Sequence, residues 1–164
     1  MRSVFVLILV LVLCTGAAAD PYAIEVVVEE ESGRVVSGSV RGHRLSVDQP
    51  TEWGGGNTAP TPPETLAFAV GACVVSTARL VAMLEMIDVG RISVTVRGSV
   101  DFSKAMGQAT DQRAGFKGLE IVIDLDGPLN REDKEAFVAR VNERCPLCDT
   151  TANQTPFSLT LARL

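Results

Sequence analysis

The chain has 164 residues, 46% hydrophobic and 21% charged, enough for one domain with its own core. Its net charge is −5 and no Lys/Arg cluster exceeds two neighbours, so the electrostatic footprint of a nucleic-acid binder is absent. A zinc site needs about four Cys/His ligands at set spacings. Of Cys14, Cys73, Cys145, Cys148 and His43, only Cys145 and Cys148 are spaced as a metal pair, so neither metal nor cofactor is expected.

Residues 1–19 have the layout of a secretory leader. Arg2 supplies the positive start, residues 4–13 are an unbroken apolar run, and Ala17-Ala18-Ala19 fits a cleavage site before Asp20. The run is too short for a confident membrane span, so no stable span is expected once the leader is removed. A genuine leader sends the protein to the exterior or the cell envelope. The alternative is a start codon placed too early, with a cytoplasmic protein beginning near Ala23. Residues 20–164 are then a single domain.

Residues 23–30, 34–40 and 44–47 are valine-rich and alternate, with turn signals at Ser32-Gly33 and Gly42; they predict two or three antiparallel strands. Residues 48–63 are a loop, punctuated by Pro50, Gly54-Gly55-Gly56 and Pro60. A long apolar helix is predicted over 61–86, with Thr61 as N-cap, Pro62 at the first helical position and Glu64 completing a capping box. Asp88-Val89-Gly90 is its expected end.

Residues 91–102 and 117–125 alternate as two further strands, separated by a polar irregular stretch. Asn130 caps a second helix, which Cys145-Pro146 interrupts. Residues 157–162 alternate as a closing strand. Strand runs separated by single helices indicate an α+β fold.

Two segments could carry chemistry. Cys73 has Leu66, Ala69, Val70, Thr77, Leu80 and Val81 at helical spacing, which fits a small buried core residue. Apolar burial raises a thiol pKa, so a reactive Cys73 needs a cation nearby. Cys145-Pro146-Leu147-Cys148 has the spacing of a redox or metal pair, and a cysteine at a helix start faces free backbone N–H groups. Two incidental loop cysteines would read the same way.

The stretch GGGNTAPTPPETLAFAVGAC (54–73), followed far downstream by Arg144-Cys145-Pro146, resembles the OsmC/Ohr family of thiol peroxidases. Val40-Arg41-Gly42-His43-Arg44 and Val47-Asp48-Gln49-Pro50 are similar to its OsmC-like branch. The resemblance implies curved antiparallel sheets around a central cysteine-bearing helix, in an intertwined homodimer with its sites at the interface. It implies that Cys73 attacks an organic hydroperoxide, releases an alcohol and becomes a sulfenic acid. Cys145 would then condense with Cys73 to a disulfide, which a dithiol reductant resets. Arg34 is implied as the arginine that stabilises the thiolate, with Arg41 second. Glu64 is implied as the residue orienting that arginine, although it precedes Cys73 by nine residues where the family spacing is ten. Its capping role is a sufficient alternative.

Cys148 is an addition to the family pair: it could compete for Cys145, receive the disulfide, or be a spectator. His43 reads as a framework residue, Arg79 as a surface or interface charge, and Trp53 as a wall of the pocket or of the dimer contact. Two other functions fit the same residues. One is a non-catalytic dimer of this fold that binds a small apolar ligand. The other is a thiol–disulfide exchange protein working through Cys145 and Cys148.

Overall fold

The computed structural model describes residues 20–162; the leader reading on residues 1–19, with Cys14, lies outside them. Strands β1 (Val27–Glu30), β2 (Val36–Val40) and β3 (His43–Val47) form an antiparallel sheet in that order. The β2–β3 connection is the two-residue turn Arg41-Gly42, both residues at positive φ (50° and 81°), the backbone a tight hairpin requires. Helix α1 (Pro62–Leu84) follows, then β4 (Ile92–Val100) and β5 (Phe116–Leu125), paired antiparallel from Ile92↔Leu125 to Val100↔Phe116. Helices α2 (Arg131–Arg144) and α3 (Pro146–Ala152) complete the order. The α+β class and antiparallel sheets are as expected.

Helix α1 begins as its sequence dictates. The Glu64 carboxylate accepts the Thr61 N–H at 2.7 Å, and the Glu64 N–H reaches back to the Thr61 hydroxyl at 3.4 Å. Its end falls within two residues of expectation. The helix stops at Leu84, with Ile87 N–H on the Ala82 carbonyl and Met86 N–H on the Met83 carbonyl. That is a Schellman ending, and Met86 takes the left-handed position (φ 54°) that glycine usually holds.

One face of α1 buries Val70, Gly71, Val74, Thr77, Ala78, Val81 and Ala82. Gly71 lets the helix lie close on the sheet, since a Cβ there would come within 3.1 Å of Val96. Phe137 and Val141 of α2, Leu125 of β5, and Cys145 and Cys148 close the same core. Glu85, just past the end of α1, faces two arginines spaced one turn apart on α2. Arg140 Nε lies 2.9 Å and an Arg144 terminal nitrogen 3.0 Å from its two oxygens. A carboxylate opposes the dipole at a helix C-terminus, and these cations offset it while fixing α2 against α1.

By length and composition α1 could cross a membrane, but its buried face is packed in this core. Its opposite face is bare: Leu80 is 53% and Met83 68% exposed, and Phe68 beside them is exposed as well. The β1–β3 sheet makes no substantial contact with α1 within the chain, and Val27, Val28 and Leu45 on it are exposed. Residues 157–162 do not form the expected strand. Their alternation is present, but no described strand of the chain pairs with them, and Phe157, Leu159 and Leu161 stand in solvent.

The link from β3 to α1 is held by Asp48, which is fully buried. Its carboxylate accepts the N–H groups of Gln49, Gly56 and Thr58 and the Thr58 hydroxyl, at 2.7–3.1 Å. Gly55 has no alternative, because a Cβ there would lie 1.9 Å from the Gln49 carbonyl. The Thr58 and Gln49 N–H bonds, against the cost of burial, hold the Asp48 carboxyl below its ordinary value. A depressed folded pKa stabilises the fold above the unfolded carboxyl's value of about 3.9, and the contribution disappears as pH falls through the folded value. Asp48→Asn is therefore expected to melt below the wild type at pH 7, with the gap closing below about pH 4. A gap that stays constant across thermal melts from pH 7 to pH 3 would contradict this role.

Candidate active site

Three thiols converge where α1, α2 and α3 meet, and all three are free. Cys73 comes from the middle of α1 and is half-buried. Cys145 ends α2 and is at the same time the N-cap of α3, with Pro146 at the first helical position. Proline lacks the N–H that α2 would need to continue, and its fixed φ suits a helix start, so Cys-Pro breaks one helix and begins the next. The break turns the Cys145 sulfur over the first turn of α3, where it accepts the Cys148 N–H at 3.4 Å. Cys145 and Cys148 are 1% and 8% exposed, so Cys73 is the most accessible member of the cluster.

The thiols influence one another unequally. Burial pushes Cys145 up, but the Cys148 thiol, the Cys148 N–H, the Cys73 thiol and the Leu147 N–H all donate to its sulfur and bring it below the ordinary thiol value. Burial raises Cys73; the Leu147 N–H lowers it, and the neighbouring Cys145 raises it further, leaving it above the ordinary value. Burial, followed by Cys145, pushes Cys148 up to about 12. Within the single chain these neighbours favour ionisation of Cys145 over Cys73 and Cys148. Among the described residues, no cation contributes to the ionisation of Cys73.

The other two expected site residues sit elsewhere. The Arg34 guanidinium is exposed and donates to the Trp53 carbonyl at 3.0 and 3.3 Å. Trp53 in turn meets Phe102 edge-on, with ring centroids 4.8 Å apart. Glu64 is occupied by Thr61, whose N–H and hydroxyl lower its pKa. Nine residues of helix put it about 13.5 Å along the axis from Cys73. Arg34 borders a cleft of about 940 Å³ and Glu64 one of about 310 Å³, and both clefts share Trp53, Val100 and Phe102. The structure thus gathers Cys73, Cys145 and Cys148 in one place, and Arg34 and Glu64 around a shared aromatic wall in another. Arg41 lies in the β2–β3 turn and His43 opens β3, both exposed.

The structural roles of Asp48 and Glu85 escaped the sequence reading. For Asp48 the available signal was an acid placed directly before a glycine-rich loop. For Glu85 it was the Arg140/Arg144 pair on one face of α2.

The fold and the thiol cluster define an α+β protein with a redox-capable cysteine centre. The chain belongs to the OsmC-like protein family, whose model matches residues 54–160. The organic hydroperoxide resistance protein OsmC of Legionella pneumophila is 27% identical and superposes with a TM-score of 0.61, over 78% of this chain and 88% of its own. An OsmC-like protein of Mycoplasma pneumoniae is 22% identical with a TM-score of 0.66, over 82% and 89%. The organic hydroperoxide resistance protein OhrB of Bacillus subtilis is 23% identical with a TM-score of 0.55, over 79% and 90%. No curated protein gives a match.

The two roles of Glu64 separate by substitution. Gln can complete a capping box as Glu does, whereas Ala cannot. Glu64→Gln is expected to keep stability within about 0.5 kcal/mol, and Glu64→Ala to lose about 1 kcal/mol, by urea unfolding. Equal losses in the two variants would remove the cap as the role of Glu64 in this chain.

Proposed function

We propose that the protein is a thiol-dependent peroxidase that reduces organic hydroperoxides to alcohols, with Cys73 as nucleophile and Cys145 as resolving thiol. The observation that carries this reading is the meeting of the Cys73 and Cys145 thiols, from α1 and the start of α3, in one cluster. Membership of the OsmC-like family and the hydroperoxide-resistance names of the similar proteins support it.

The Cys73 sulfur attacks the distal oxygen of the hydroperoxide. The O–O bond breaks, the alkoxide leaves as alcohol after taking a proton, and Cys73 becomes a sulfenic acid. The proton lost by Cys73 is the one the departing alkoxide takes up, which leaves Cys145 free to act as the resolving thiol. Cys145 then attacks the Cys73 sulfur, water leaves, and a disulfide joins α1 to α3. A dithiol reductant restores both thiols.

A homodimer is part of the proposal. The exposed face of α1 and the exposed valines of the β1–β3 sheet are apolar surfaces without a cover in the single chain. A second copy would cover them and could bring a partner's arginine to Cys73, lowering its pKa, with Arg34 the candidate. Export to the cell envelope is proposed on the layout of residues 1–19 alone. A second reading, a dimer of the same fold that only binds a small apolar ligand, is favoured by one observation: the raised Cys73 thiol.

The test is consumption of cumene hydroperoxide with dithiothreitol as reductant. Cys73→Ser is expected to lose turnover by about a hundredfold or more. Cys145→Ser is expected to consume about one equivalent per chain and then stop with Cys73 oxidised. Full activity of Cys73→Ser would sink the assignment, and sustained turnover of Cys145→Ser would remove Cys145 as resolver. A wild-type chain that consumes no hydroperoxide would favour ligand binding.

A further inference from the structure

Cys148 is the thiol that the two-cysteine cycle leaves unused. It occupies the third position of α3, one turn beyond the N-cap Cys145. Residues three apart on a helix have Cβ atoms about 5–6 Å apart, a separation from which a disulfide can close with a small adjustment. The Cys145 sulfur is already folded over that turn, as the Cys148 N–H bond to it shows. Cys148 also differs from Cys73 in what it faces. It lines a cleft of about 410 Å³ together with Leu66, Phe116 and Thr151, and Arg113 and Lys117 border the same cleft. Cys73 and Cys145 are not among the residues lining it.

We propose that Cys148 is the exit thiol of the cycle: it takes the disulfide from Cys73–Cys145 as Cys145–Cys148 and presents it to the reductant at this cleft. The inference rests on the peroxidase reading above. The exchange is internally balanced. The Cys148 sulfur, losing its proton, attacks the Cys145 sulfur; the Cys73–Cys145 bond breaks and Cys73 leaves as a thiolate that takes up the proton. No outside oxidant or reductant enters at this step. A dithiol then reduces Cys145–Cys148, becomes a cyclic or protein disulfide itself, and leaves two thiols.

Two features favour the transfer. Once Cys145 is in a disulfide it has no negative charge, so its share of the upward push on Cys148 is removed and burial alone remains. The released Cys73 is free to meet a second hydroperoxide while the disulfide waits at the cleft, so substrate and reductant need not share an approach.

The sequence makes the transfer easy to read. Trypsin cuts after Arg144, which leaves Cys145 and Cys148 on one peptide and Cys73 on another. Reduced wild-type protein is mixed with one equivalent of cumene hydroperoxide, quenched in acid at intervals, alkylated and mapped without reduction. The expected result is a linked pair of peptides, Cys73–Cys145, that appears first and decays into a single peptide carrying Cys145–Cys148, with Cys73 alkylated. Cys148→Ser is expected to stop at the linked pair, and its turnover with dithiothreitol to fall by about tenfold. If the wild type holds Cys73–Cys145 until reductant is added, the relay is overturned and the peroxidase reading stands. If the wild type consumes no hydroperoxide, the peroxidase reading falls and the relay with it.

Discussion

The first turn of α3 is the constraint on which the site depends. Cys145-Pro146 cannot continue α2, so the chain breaks and restarts with Cys145 as the new N-cap. That one break does three things. It turns the Cys145 sulfur toward the backbone N–H groups of the new helix, sets Cys148 one turn away, and brings Leu147 beside Cys73. The donors then outweigh burial at Cys145, while the same burial raises Cys73 and Cys148, which lack an equal set. A uniform apolar pocket would have raised all three thiols.

The rest of the fold keeps that junction in place. Gly71 admits the close approach of α1 to β4, and Phe137 and Val141 press α2 onto the same core. Glu85, between Arg140 and Arg144, ties the end of α1 to the last turns of α2 just before the break. The Arg140 Nε–H is not aligned for a hydrogen bond despite the 2.9 Å approach, so that contact acts as charge attraction. At the other end of α1, Asp48 organises the glycine-proline loop and Glu64 the helix start. The chain therefore has two constructions on one helix: thiols towards its middle, and an Arg34–Trp53–Glu64 neighbourhood at its N-terminus. Its uncovered apolar surfaces are what a second copy would use to bring the two together.

Much of this was legible in the residues. The Thr61–Glu64 capping box and the alternation of β4 and β5 are local signals, and each appeared where it was read. The end of α1 was legible to within two residues, but its Schellman form was not, because Met86 adopts a conformation for which glycine is the usual marker. Residues 157–162 have a strand's alternation, yet a strand exists only with a partner, and alternation does not name one. The contributions of Asp48 and Glu85 depend on groups brought in by folding: a loop's backbone N–H groups for one, and two arginines from a later helix for the other. The juxtaposition of Cys73 with Cys145 followed from a family resemblance rather than from spacing. The distribution of charge among the three thiols needed the geometry.

The meeting of Cys73 with Cys145 is the centre of the account, and disulfide mapping of reduced Cys148→Ser after oxidation with diamide tests it most directly. The account predicts a disulfide within one chain between the tryptic peptides that carry Cys73 and Cys145. Two thiols that both stay open to alkylation after diamide would contradict the convergence described for the cluster.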